Sequence, residues 1–443
     1  MEVMHRRVAG LDVHKETVVA CVRVTAGRRP TRECRTFTTT TQGLLELLGW
    51  LTASRVTQVA MEATGVYWTP VWKILSEGDF TLIVANAAHI KQVPGRKTDI
   101  NDAMWIADLL ACGLLKASFV PPEEIHELRS LMRTRKQLVR EQTRHVQRIE
   151  KTLEEANINP GFNPGDLMGV SGRRMIEAMI PTGQARGLKA HGERDPHRLA
   201  ALAERSVKAS PRALHDALHG RLREHHRFLL QLHLRQWDAL EAAIRQIDEQ
   251  VADQIERVDE EAADGQPPFR ELIARLCAIP GVSVLSATAI LAEIGRDMSR
   301  FPTAGHLIAW AGLCPGQNES PTGQARGLKA HGKRKSSRLR KGAPWLKTML
   351  VQCAWAAKRA KHSYYSAQFH RLCGRRGPQK AICAVAASIL TAIYHMVRSG
   401  ASHRDLGADY FDRRTPQARA KRLVAQLARL GFAAQLQPLA EAA

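Results

Sequence analysis

Asp99 and Asp102 stand three residues apart in the stretch Lys97-Thr98-Asp99-Ile100-Asn101-Asp102-Ala103-Met104-Trp105-Ile106-Ala107-Asp108. Thr98 or Asp99 can cap a helix there, and Ile100, Met104 and Ala107 recur at helical spacing. Two carboxylates on one helix face repel unless a cation sits between them. A first helical turn also favours acids for its dipole alone, so the pair needs company before it means chemistry. Asp12, on the strand-like stretch Val8–Val13, and Glu62, just past Gln58–Met61, supply it. Four carboxylates without a histidine pair beside them suit hard, oxygen-preferring cations, Mg²⁺ or Mn²⁺. Two such ions about 3.5–4 Å apart bracket a phosphodiester, activating one oxygen and stabilising the one that leaves.

The elements that must position these acids follow in order. Strands are expected at 8–13, 17–24, 33–38, 58–61 and 81–84, and helices at 42–51, at 66–76 and from Asp99 onward. The order βββαβαβα is that of the ribonuclease-H-like fold: a hairpin meander, then two crossovers to parallel strands. Strands one and four are neighbours in that fold, so the four acids are expected on one rim. Gly10-Leu11-Asp12-Val13-His14-Lys15 also fits the first phosphate strand of an actin-like ATPase, but the further Gly-rich phosphate loop that such proteins need is missing.

Charge points to the same kind of substrate. The 443 residues carry 65 Lys+Arg against 43 Asp+Glu, a formal net charge of +22. Such a surplus favours a polyanionic partner, nucleic acid before membrane. The eight cysteines form no CxxC pair, which fits a reduced, intracellular protein and excludes a disulfide or zinc scaffold. No signal peptide opens the chain, and the apolar run 381–394 is too short for a bilayer, so no membrane partner is expected.

Residues 123–155 read as a charged helix, with Arg133, Lys136, Arg140 and Arg144 on a basic side suited to phosphates. A second long helix is expected from about Pro211 to Val258. Its Leu240, Ile244, Ile247, Val251, Ile255 and Val258 form a coiled-coil seam, so the two make a helical stalk open to dimerisation. Residues 277–295 read as helix, tight turn, helix, resembling a helix-hairpin-helix whose turn amides meet a phosphate. Lys333, Arg334, Lys335, Arg338, Arg340 and Lys341 form a dense phosphate-contact strip. Beyond Gly400 the Arg- and Ala-rich stretch reads as a basic accessory tail.

GLDVHKETVVACV, MEATGVYW, KTDINDAMWIADLL, IPGVSVLSATAILAEIG, AWAGLCPGQNES and KRKSSRLRKGAPWLKTMLVQCAWAA together resemble the DEDD-type insertion-sequence transposases of the IS110 group, relatives of the Piv DNA invertase. The resemblance runs over roughly residues 5–400. It implies a RuvC-like, RNase H-like α/β domain (1–120), a helical coiled-coil connector (121–265) and a mostly α-helical transposase domain (266–400), with the tail at 401–443. It carries the metal-binding acidic tetrad onto Asp12, Glu62, Asp99 and Asp102, and a serine nucleophile onto Ser320, with Ser336 and Ser337 next in line. It further implies DNA strand exchange on element ends and target, guidance by a structured non-coding RNA, a dimer or tetramer, and a bacterial, cytoplasmic, nucleoid-associated setting. A nuclease or transposase that uses only metal, and an inactive nucleic-acid-binding remnant, are the alternatives.

One feature departs from the family text. Pro181-Thr182-Gly183-Gln184-Ala185-Arg186-Gly187-Leu188-Lys189-Ala190-His191-Gly192 recurs unchanged at Pro321–Gly332. Structural repeats drift and keep a regular period, so the two copies read as insertions, at 181–191 and 321–331. The first is expected to be a tolerated surface loop. The second begins directly after Ser320 and is expected to displace the nucleophile from its basic partners, impairing recombination.

Overall fold

The structure, a computed structural model, describes residues 3–27, 29–63, 65–86, 90, 102–159, 167–181, 192–204, 207, 209–261, 266–315, 339, 343–413 and 416–435. The chain divides into two compact units, Met1–Pro121 and Pro122–Ala443.

The first unit is built on strands β1 (Arg7–Val13), β2 (Thr17–Val24), β3 (Thr31–Thr38), β4 (Gln58–Glu62) and β5 (Thr81–Ala85). They form one sheet in the order β3-β2-β1-β4-β5, with β1–β2 and β2–β3 antiparallel and β1–β4 and β4–β5 parallel. β1 is apolar on both faces because both are covered. Ala9, Leu11 and Val13 pack with Leu44, Leu47 and Leu51 of α1 (Thr41–Ala53) and with Val71 and Leu75 of α2 (Trp68–Leu75). Val8 instead packs with Ile106, Ala107 and Leu110 of α3 (Asp102–Ala111) on the opposite face. The exposed edge strand β3 carries Arg32, Glu33 and Arg35, charges that blunt edge-to-edge pairing.

α3 is held to the sheet by two devices. Gly10 lets the helix backbone come close: a Cβ there would lie 2.2 Å from the Ala103 oxygen and 2.4 Å from the Ala107 nitrogen. Arg23, nearly buried on β2, donates to Asp108 at 2.9 Å, and Arg32 of β3 donates to the same carboxylate at 2.9 and 3.1 Å. Beside them Cys21 faces Cys34 across β2–β3, and burial holds its thiol well above the usual range.

The second unit is helical in its described residues. α4 (Glu123–Glu155) is followed by three short helices, α5 (Val170–Met179), α6 (Pro196–Ala200) and α7 (Pro211–Leu218), and then by α8 (Glu224–Glu260). The single helix expected from Pro211 to Val258 is therefore broken at residues 219–223. Gly220 sits where a Cβ would meet Ile158 and the Ala156 carbonyl, so the chain turns in tight contact with the end of α4. The expected seam on α8 also finds a partner within its own chain. α4 and α8 run antiparallel, as Arg135–Asp248 (2.5 Å), His145–His233 (3.3 Å) and Gln254–Glu127 (3.0 Å) show, with Ile244, Val251, Ile255 and Val258 buried.

α9 (Phe269–Leu276), α10 (Val284–Ile294), α11 (Ala304–Trp310), α12 (Pro344–Ala357), α13 (Tyr364–Arg376) and α14 (Pro378–Ser399) follow. The α9–α10 turn needs Gly281 at φ +84°, and the backbone of α12 presses against it. α14 extends beyond the expected apolar run. Among the described residues it is the one helix long and apolar enough to cross a bilayer, yet more than half of its apolar window is buried in this unit. It is a core helix by its packing. α15 (Tyr410–Arg413) and α16 (Pro416–Arg429) end the described chain. The stretch after Gly400 starts as packed structure, since Phe411 stacks on Tyr364 at 5.1 Å and Asp405 accepts the Tyr364 amide at 2.9 Å.

The His145–His233 contact makes α4–α8 packing sensitive to acid. With Nδ1 atoms 3.3 Å apart, one ring donates and the other accepts, so at least one is neutral. Burial lowers both pKa values below the ordinary 6.5; Arg148 adds to this at His145, and His145 then Arg148 at His233. A lowered folded-state value means the contribution to stability is complete above the unfolded pKa and is lost as pH falls through the folded one. The melting temperature is expected to fall between about pH 7 and about pH 5. A His145→Gln/His233→Gln double variant should show a shallower fall by calorimetry; an unchanged slope would remove the pair from this role.

Candidate functional site

Alternation along β1 and β4 decides where the acids point. Val8, Gly10 and Asp12 share the α3 face of β1, and Ala60 and Glu62 share that face of β4. The parallel register pairs Gly10 with Ala60 and Leu11 with Met61. Asp12 and Glu62 are thus the next same-face residues, side by side at the carboxyl ends of two adjacent parallel strands. α3 crosses this face with Ala103 and Ala107 over Gly10, so its first residue, Asp102, lies at the same end of the sheet. All three acids are half-buried. Asp99 lies outside the described residues.

His14 Nε2 stands 3.1 Å from Asp12 Oδ2, a partner the sequence reading passed over although it lies two residues on. Three carboxylates with one exposed imidazole form a donor set suited to a hard divalent cation, the imidazole orienting Asp12 or joining the ligand set.

In the second unit Ser320 and Lys333, Arg334, Lys335, Arg338, Arg340 and Lys341 lie outside the described residues. Among the described residues nearby, Pro315 and Leu339 form an isolated antiparallel bridge. Where the described chain resumes after the first duplicated segment, the Glu193 amide donates to the Ala178 carbonyl near the end of α5 at 2.7 Å.

The basic residues of α4 separate into different roles. Arg133 forms a two-pronged pair with Glu293 of α10 (2.8 and 2.9 Å), and Glu293 is only 5 % exposed. Arg133, expected on the nucleic-acid side, makes this pair while its own side chain stays 37% exposed. Arg129 donates to the Ala292 and Glu293 carbonyls at 3.1 and 2.7 Å, and burial pushes its pKa down to about 10. Arg140 and Arg144 are exposed, and Lys136 is half-buried. Arg133, Lys136 and Arg140 lie 5.6, 5.7 and 5.3 Å from the ring centre of Trp345 on α12.

A mixed sheet with acids gathered at one end, ahead of a mostly helical remainder, is compatible with a DEDD-type RNase H-like domain. The family profile of the DEDD IS110 transposases matches residues 9–158, and that of the transposase IS116/IS110/IS902 family matches residues 273–371. The chain belongs to the IS110 family of insertion-sequence transposases. A relative from Streptomyces coelicolor, the insertion element IS110 uncharacterized 43.6 kDa protein, is 33% identical over 128 residues. That match spans 28% of this chain and 28% of the relative.

Proposed function

We propose that the protein is a DNA transposase or recombinase that catalyses strand exchange at insertion-sequence ends, with an RNase H-like domain holding Mg²⁺ or Mn²⁺. The observation that carries this reading is the shared end and face of Asp12, Glu62 and Asp102. Asp99, three residues before Asp102 in sequence, completes the set. Bound divalent ions would supply Lewis-acid stabilisation of the negative charge that builds on a phosphodiester. Ser320 acts as nucleophile: its Oγ–P bond forms as the P–O bond to the leaving nucleoside breaks, its proton passes to solvent base, and the leaving oxygen is protonated. The phosphoserine ester keeps the strand activated for religation. Arg140 and Arg144, with Lys333–Lys341, hold phosphates. A structured guide RNA, a dimer or tetramer, and a cytoplasmic, nucleoid-associated setting complete the reading.

The experiment is a covalent trap. The full chain is incubated with Mg²⁺, the flanking non-coding transcript and an element-end DNA carrying a nick that prevents religation. A detergent-stable protein–DNA species is expected, absent in Ser320→Ala. Free cleaved DNA with no adduct would favour chemistry by metal and water alone.

The segment that begins at Pro321 favours a second reading, a copy that binds DNA but recombines poorly. Deleting residues 321–331 is then expected to raise adduct yield, whereas an unchanged yield counts against interference by the insertion.

A further inference from the structure

A cleft of about 330 Å³ opens where α4, α10 and α12 meet, all within the second unit. Met132, Val139, Leu285, Ala289 and Met349 give its lining apolar atoms. Arg133 and Arg135 also line it but are paired with Glu293 and Asp248, whereas Lys136 and Arg140 line it with Arg133 gathered around Trp345, whose ring face attracts cations and holds them in place. Lys136 Nζ also lies 3.5 Å from the Trp345 carbonyl oxygen. The acid in the lining, Glu293, is already paired with Arg133, so the cleft keeps a net positive charge.

A duplex backbone laid over this surface would use the cations and leave the apolar recess empty. A purely apolar ligand would leave two cations desolvated for nothing. An anion with a flat apolar body satisfies both, and its volume matches a small-ligand recess.

We propose that this cleft takes one unpaired nucleotide of a single-stranded nucleic acid, its base against the Met132–Leu285–Met349 wall and its phosphate on Lys136 and Arg140. The proposal rests on the nucleic-acid reading above and adds a preference for unpaired strand. Trp345 is a positioning residue: it gathers the cations and leaves the apolar wall to the base.

The test uses fluorescence anisotropy with the full chain and four labelled probes of one sequence. They are single-stranded DNA, single-stranded RNA, duplex DNA and a single strand with abasic sites. Ala289→Leu fills the recess without changing charge; Met349→Phe does so from the facing helix should the first variant melt early. Filling is expected to weaken binding of the intact single strand by about tenfold or more while leaving the duplex and the abasic strand within about twofold. Tighter binding of RNA or of DNA by the unmodified chain identifies the strand served. Equal losses on single strand and duplex, or no loss on either, overturn the cleft while leaving nucleic-acid binding in place. Failure of every probe to bind overturns both.

Discussion

Asp12→Asn is expected to abolish strand cleavage while the chain still folds and still binds DNA. The substitution keeps the size of the side chain and removes one negative charge from the end of β1, beside Glu62 in the parallel register. A metal site that loses a carboxylate loses several kcal/mol of transition-state stabilisation, roughly 10³-fold or more in rate. His14 keeps a hydrogen-bonding partner in the new amide, so the local turn is preserved. Single-turnover cleavage of an element-end substrate measures the rate, and the melting curve controls for folding. Removing one of several crowded acids should leave the melting temperature equal or higher. Cleavage within a few-fold of the unmodified chain would detach Asp12 from catalysis.

Gly10→Val should damage the first unit more than any other single change on the sheet. The new Cβ would meet the backbone of α3 at Ala103 and Ala107, not the movable end of a side chain. The helix must lift, and Ile106, Ala107 and Leu110 then lose their packing on Val8 and Ala60. Overpacking a tight interior costs about 1–3 kcal/mol and occasionally more, and a backbone obstacle belongs at the upper end. Lifting α3 also carries Asp102 away from Asp12 and Glu62, so cleavage is lost with every acid still present. Calorimetry of the full chain should show earlier melting for Gly10→Val and none for Asp12→Asn. A Gly10→Val chain that melts and cleaves normally would show that α3 does not sit as described.

The first unit is the part most legible from residues alone. Its strands announce themselves by β-branched runs between turns, and the acids stand at strand ends, where period-two alternation fixes the face. Contacts between distant positions stay out of reach there, such as Arg23 and Arg32 on Asp108, and so does His14 on Asp12, because an exposed histidine after a strand has no distinctive pattern. The second unit was less legible because helix periodicity marks a face without naming what covers it. The α8 seam fits an in-chain partner as well as a second copy, and the α7–α8 break depends on Gly220 meeting Ile158, a contact between distant positions. Arg133 and Arg140 look alike in sequence; only the position of Glu293 on α10 separates an internal pair from an exposed cation. Ser320 came from the family resemblance, since an ordinary loop serine carries no physical signature of nucleophilicity.

Manganese located by anomalous scattering in crystals of the full chain tests the acidic site most directly. One or two Mn²⁺ ions bonded to carboxylate oxygens of Asp12 and Glu62, with Asp102 in the ligand set, are expected at ion concentrations that support cleavage. Mn²⁺ bound elsewhere under those conditions, with this end of the sheet bare, would contradict the assignment.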